Sequence, residues 1–219
     1  MMKKMIVVTA VLVFLTCMLF GCAQANEREK PQEIQLEQME LDPYGVLENG
    51  LLNMTEQELI DSDPALKPID VEPGMDQSLS QYSTLLIYHK QVSFLGKEDG
   101  AVSLMVADGK VEFVTYTTGA LSVHEENKEK YFDLFWDVID KMEKEFGEPE
   151  VARSLTAEDG SIQEDFTKED LLAIELSGER PKYQAKVIWG GEYRPMVLLV
   201  LNGSVEVPSA ISISYGPVE

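Results

Sequence analysis

Asp108-Gly109, set between two runs rich in apolar residues, constrains this chain more than any other pair of positions. A two-residue connection of this composition favours positive φ at both residues, and the resulting turn matches the right-handed twist of paired strands. It predicts a hairpin over Ala101–Tyr116. Pairing outward from the turn sets Val106 opposite Val111, Leu104 opposite Phe113 and Val102 opposite Thr115. Side chains alternate along a strand, so those six residues are expected on one face, with Ser103, Met105, Glu112 and Val114 on the other.

The chain around this hairpin carries its own punctuation. Thr55-Glu56-Gln57-Glu58 is a capping box that predicts a short helix through about Asp61, stopped by Pro64. Residues 65–76, with Pro68 and Pro73-Gly74, read as a loop, and Leu85–Tyr88 and Val92–Leu95 as strands. Ser122-Val123-His124-Glu125 is a second capping box, with Asn127 as an alternative cap. Beyond it Tyr131, Leu134, Phe135, Val138, Ile139, Met142 and Phe146 recur at three- and four-residue steps, the stripe of a helix that buries one side. Phe132 and Trp136 widen that stripe, Gly147 suits a C′ position, and Pro149 prevents continuation. Packing on the strands, rather than a ligand shelf, is the expected use of these aromatics.

Residues 157–165 are acidic and turn-like, and a short helix is expected from Thr167 to about Leu176. Strand-like segments follow at Tyr183–Trp189, Pro195–Leu201 and Ala210–Tyr215, divided by Gly190-Gly191 and Asn202-Gly203. Consecutive strands joined by short turns predict an α+β fold. Its expected form is an antiparallel meander sheet of about five or six strands, one long helix packed on one face, and one or two short helices.

The 219 residues carry a formal net charge of −21. A field of that sign repels nucleic acid, which needs a basic surface, so no nucleic-acid partner is expected. No nucleotide-binding glycine loop is present, and no cofactor is expected. His89 and His124 are the only histidines, and neither stands in a Gly-x-Ser-x-Gly or other nucleophile context. Glu125-Glu126, Glu143 with Glu145, Glu158-Asp159 and Glu164-Asp165 could supply paired carboxylates, but they fall where solvated faces and turns are expected. Glu158-Asp159-Gly160-Ser161 lacks the alternating ligands of a calcium loop, because Leu155 and Ala157 occupy the earlier positions. Asp99-Gly100, Asp108-Gly109 and Asp159-Gly160 are read as turns, and no catalytic, cofactor-binding or metal residue is assigned.

The N-terminus has basic Lys3 and Lys4, then Met5–Leu19, fifteen mostly apolar residues, too few for a confident membrane span. Leu19-Phe20-Gly21-Cys22 resembles the lipobox of bacterial lipoproteins. That resemblance implies cleavage before Cys22, a diacylglyceryl group on Cys22 as the lipid attachment site, and a cell-membrane location facing outside the cytoplasm. The expected division is a signal peptide over 1–21, a flexible acidic tether over 22–50, and a single α+β domain over 51–219. Loss of the signal leaves 16 basic against 39 acidic residues, a net −23. Cys17 would leave with it, so thiol chemistry, disulfides and cysteine metal sites are not expected in the domain.

The run from Tyr131 through Phe146-Gly147-Glu148-Pro149, then Trp189 and Ile211-Ser212-Ile213-Ser214-Tyr215, resembles small α+β bacterial lipoproteins. It is also similar to the helix-plus-sheet modules of β-lactamase inhibitor protein and of outer-membrane assembly lipoproteins of the SmpA/OmlA type. The resemblance implies a non-enzymatic module that binds an exported or envelope protein through a sheet face and loops. The alternative is an extracytoplasmic enzyme, or a small-ligand or ion-binding protein whose pocket the sequence does not reveal.

Overall fold

The computed structural model describes residues 40–69, 84–149, 152–157, 159–176, 182–202 and 209–216. The apolar N-terminal run, Cys17, Cys22 and Glu158 lie outside the described residues.

The fold is α+β, as expected, with a larger sheet. Strands β1 (Lys67–Ile69), β2 (Leu85–Gln91), β3 (Ala101–Ala107) and β4 (Lys110–Thr117) form a meander. Strands β5 (Ala152–Thr156), β6 (Ile162–Glu164), β7 (Lys182–Ile188), β8 (Met196–Asn202) and β9 (Ala210–Tyr215) complete a nine-stranded sheet in the order β1-β2-β3-β4-β9-β8-β7-β5-β6. Every adjacent pair is antiparallel. The expectation of about five or six strands falls short because β1, β5 and β6 are short pieces, at or next to the sheet's edges, without a clear apolar alternation. Val92–Leu95, expected as a strand, instead turns back on itself through paired hydrogen bonds between Phe94 and Lys97.

The Asp108-Gly109 turn has φ of 50° and 80°, the geometry its composition calls for. Val106 pairs with Val111 as expected, and then the register slips by one residue. Met105 sits opposite Phe113, Leu104 opposite Val114 and Val102 opposite Tyr116. The cause is a β-bulge: Glu112 is an extra residue in β4 that the strand register skips. This corrects the expected face. Val114 and Tyr116 join Val102, Leu104, Val106 and Val111 in the main core, while Phe113 and Thr115 turn to the opposite side.

Helix α1 (Glu56–Ser62) starts at the Thr55 capping box and buries Leu59. Helix α2 (Lys128–Phe146) buries Phe132, Leu134, Phe135, Val138, Ile139 and Met142, the expected stripe. Its start differs from the second capping box. Asn127 is the N-cap residue, its side chain accepting from the His124 amide and donating to the Ser122 carbonyl. Glu125 pairs instead with Lys128 and accepts from the Leu176 amide, tying the helix start to the segment after α3. At the far end Gly147 has φ 80°, and the Trp189 Nε1–H donates to its carbonyl at 2.8 Å. Helix α3 (Lys168–Leu172) begins at a Thr167–Asp170 capping box and buries Leu171.

The connection from β4 through α2 carries the chain to β5 near the far side of the sheet. The later strands then step inward, until β9 closes between β8 and β4. The last strand is therefore central, and the sheet stays in two halves until it pairs.

Part of the stretch expected as a tether is packed. Leu41, Val46, Leu51 and Leu52 are buried in the main core. The Asp42 carboxylate accepts from the Val46 and Leu47 amides at 2.8 and 3.0 Å and from the Tyr116 hydroxyl at 2.5 Å. Tyr44 Oη donates to Asp63, which also pairs with Lys90. Packed residues therefore occur before the expected boundary at residue 50, from Leu41 onward among the described residues, and sequence reading passed over them because they show no helix or strand period.

Candidate functional site

The apolar side chains of the three described helices all belong to the main core, on one face of the sheet. Alternation along each strand sends the remaining residues to the other face. Across the central strands this second face is small and hydroxylic: Ala101, Ser103, Thr115, Thr117, Ala210, Ser212 and Ser214, all buried. Apolar residues flank it, with Ile87, Met105 and Phe113 toward one edge and Met196, Leu198 and Ile188 toward the other. Phe113 has close backbone next to it, since a Cβ on Gly216 would fall 2.4 Å from its ring.

Two pairs of hydroxyl residues face each other across β4 and β9. Thr115 is paired with Ser214 and Thr117 with Ser212. The first pair satisfies itself through a 2.9 Å hydrogen bond between hydroxyls. The second does not: Thr117 Oγ1 and Ser212 Oγ have no partner among the described residues, although both residues are only 1% exposed. A buried hydroxyl left unpaired costs about 1–3 kcal/mol, so such atoms in a native sheet call for a reason.

The same cross-strand row runs from Thr117 through Ser212 and Leu198 to Lys186, then Ser154 and Glu164. Lys186 is half-buried, and loss of hydration pushes its pKa below the ordinary lysine value. No hydrogen bond or ion pair to Lys186 occurs among the described residues, and Glu164 is exposed two strands away. In a chain of net −21, a half-buried cation with no carboxylate on it is unusual. The neighbouring row begins with Lys67 and His89 and passes through Ser103 to Thr115 and Ser214. His89 Nδ1 lies 3.4 Å from Ser103 Oγ, and burial pushes its pKa down.

The residues singled out in the sequence are dispersed. His89 is on β2, on the second face, and His124 is in the loop before α2, its Nε2 2.9 Å from Ser122 Oγ. Glu143 pairs with Arg153, whose guanidinium lies over the Trp136 ring, and burial raises the Glu143 pKa despite that partner. Trp136 also meets Phe166 edge-on, and Trp189 is buried. Trp189 is in the core and Trp136 packs against it, the latter as the widened stripe predicts. Among the described residues no group of His, Cys, Asp and Glu side chains could hold a metal ion. No described helix is long and apolar enough to cross a membrane.

Sequence reading did not find the Thr117–Ser212 row. The alternation in Ala210-Ile211-Ser212-Ile213-Ser214-Tyr215 signals that one face of this strand carries small hydroxyls. Placing Thr117 against Ser212, however, requires the β4–β9 pairing, and that joins residues far apart in the chain. No protein-family model, curated protein or solved structure matches this chain.

Proposed function

We propose that this chain is a lipid-anchored extracytoplasmic binding module without an enzymatic role, working through the loops at residues 96–100 and 190–192. Support for the anchor comes from Leu19-Phe20-Gly21-Cys22 behind a basic start and a short apolar run. Support for the loops comes from burial: the sheet face opposite α2 is shut in, with Met105 and Met196 only 0% and 3% exposed, whereas Gly96, Glu98, Asp99, Gly191 and Glu192 are exposed. Exposed loops on a sheet scaffold suit a macromolecular partner, here an exported or envelope protein, and the net charge of −21 discourages nucleic acid and anionic surfaces.

Two measurements test the reading. Cys22→Ser should release the protein from the membrane fraction, and retention after that change with the signal removed would refute the anchor. Cross-linking from a photoreactive residue at Glu98 or Glu192, both exposed, should capture a specific exported or envelope protein. Equal capture from a residue on the outer side of α2, such as Asp140, would refute the loops as the working surface.

A further inference from the structure

We infer that the open edge of β6 is a docking surface for an extended segment of a basic partner protein. The segment adds antiparallel as a further strand, with an apolar residue opposite Ile162 and a lysine or arginine opposite Glu164. This surface and this mode of binding differ from the loops proposed above, and neither depends on the anchor at Cys22.

The backbone makes the edge available. β6 is the last strand of the sheet, and residues 159–165 are all exposed. The Ala157 amide donates to the Ser161 carbonyl at 3.0 Å, and the Asp165 amide to the Arg153 carbonyl at 2.9 Å. In an antiparallel ladder such pairs recur at every second residue, so Ser161, Gln163 and Asp165 turn their backbone groups toward β5. The N–H and C=O groups of Ile162 and Glu164 therefore point away from the sheet, spaced as a further strand requires. At the opposite edge β1 carries Pro68, which has no N–H, and Lys67, and both discourage strand addition. β6 contains neither proline nor lysine.

The side chains specify the added strand. Ile162 is 63% exposed, the one large apolar side chain exposed among the described residues. Gln163 hydrogen-bonds Asp170 of α3, so Ile162 and Glu164 share the other face of the strand. An apolar residue opposite Ile162 buries surface that now faces water. Glu164 forms no ion pair among the described residues, and a basic residue opposite it supplies one. Read along an antiparallel partner, the pattern is basic-x-apolar. A second copy of this chain fits poorly. Outward groups pair only with outward groups, so the centred register would set Ile162 of each copy against Glu164 of the other. It would also bring together two chains of net −21.

The test titrates the full ¹⁵N-labelled chain in detergent micelles with acetyl-Thr-Lys-Thr-Val-Thr-amide at millimolar concentration. The Ile162 and Glu164 amide resonances should shift and their hydrogen exchange should slow, whereas the Gln163 amide, already turned to β5, should change little. N-methylation of the probe at its Lys and Val amides should abolish these shifts, and N-methylation at its central Thr should leave them. Glu164→Lys should weaken the probe about fivefold, the upper end for an exposed ion pair, and should strengthen the same peptide with Glu in place of Lys. Ile162→Pro removes an outward N–H without touching the β5 ladder and should abolish binding. Thermal unfolding checks that each variant is folded, and the exposed Glu164→Lys still tests the edge if Ile162→Pro folds poorly. Absence of shifts at Ile162 and Glu164, equal effects of the two N-methylated probes, or unchanged binding to folded Glu164→Lys would each overturn the inference. Self-association abolished by Ile162→Pro would overturn it in favour of a second copy. Capture from Glu98 or Glu192 reports on the loops alone, so the two readings fail separately.

Discussion

Replacing Thr117 by Val and Ser212 by Ala should make this protein more stable. Both hydroxyls are buried and unpaired, and each such group costs about 1–3 kcal/mol. Valine keeps the branched shape of threonine, and alanine removes only the serine oxygen, so little packing is lost. The two residues are in contact across β4 and β9, so their effects will not simply add. A combined gain of about 1–3 kcal/mol is expected. In a chain of this size that is about 2–10 °C in Tm. The neighbouring pair provides the control. Thr115→Val alone strands the Ser214 hydroxyl that it now bonds, and should cost about 1–2 kcal/mol. The same chemistry one step along the strand therefore carries the opposite sign. Urea unfolding at constant slope measures both, since a change in midpoint with an unchanged slope is a change in stability. If the Thr117/Ser212 variant loses more than about 1 kcal/mol, its hydroxyls are satisfied in solution.

Two further outcomes follow from buried polar groups. Asp42→Ala removes the acceptor of two amides and of the Tyr116 hydroxyl, and should cost about 2–4 kcal/mol. Hydrogen exchange over residues 44–54 should rise more than in β3 and β4, whereas uniform exchange would refute local docking. Burial lowers the folded pKa of His89, so below about 6.5, the unfolded value, the unfolded chain takes up a proton that the folded one resists. Stability should fall as pH drops through that window and level off at the lower folded value. His89→Gln should remove this slope, and an unchanged pH dependence of the urea midpoint would refute the assignment.

Local signals were readable wherever a periodic stretch meets a strong turn or cap. Asp108-Gly109 announces its hairpin because only a few residues adopt positive φ cheaply. The α2 stripe is readable because the helix period and the burial pattern coincide over five turns. Thr55 and Glu58 form their capping box because all its atoms lie within one turn. The Ser122–Glu125 box has the same spacing and fails, because Glu125 is better served by Lys128 and the Leu176 amide. Lys128 is a local neighbour, but the Leu176 amide lies 51 positions away, beyond any local rule. The short strands β1, β5 and β6 were hidden because a short strand is defined by its neighbour's hydrogen bonds rather than by its own composition.

The sequence by itself determined the class of fold, the long helix, the central hairpin and the acidic character of the surface. Each of these follows from propensity, period or charge within a short window. Tertiary structure alone decided the faces. A single extra residue, Glu112, moves Phe113 and Thr115 to the side opposite α2 and brings Val114 and Tyr116 into the main core, because side-chain direction reverses with every residue of register. Pairing of β9 with β4 then sets Thr117 against Ser212, and β8 and β7 extend the row to Lys186. Contacts between distant strands carry no signature in either strand, so this row exists only once the sheet has closed.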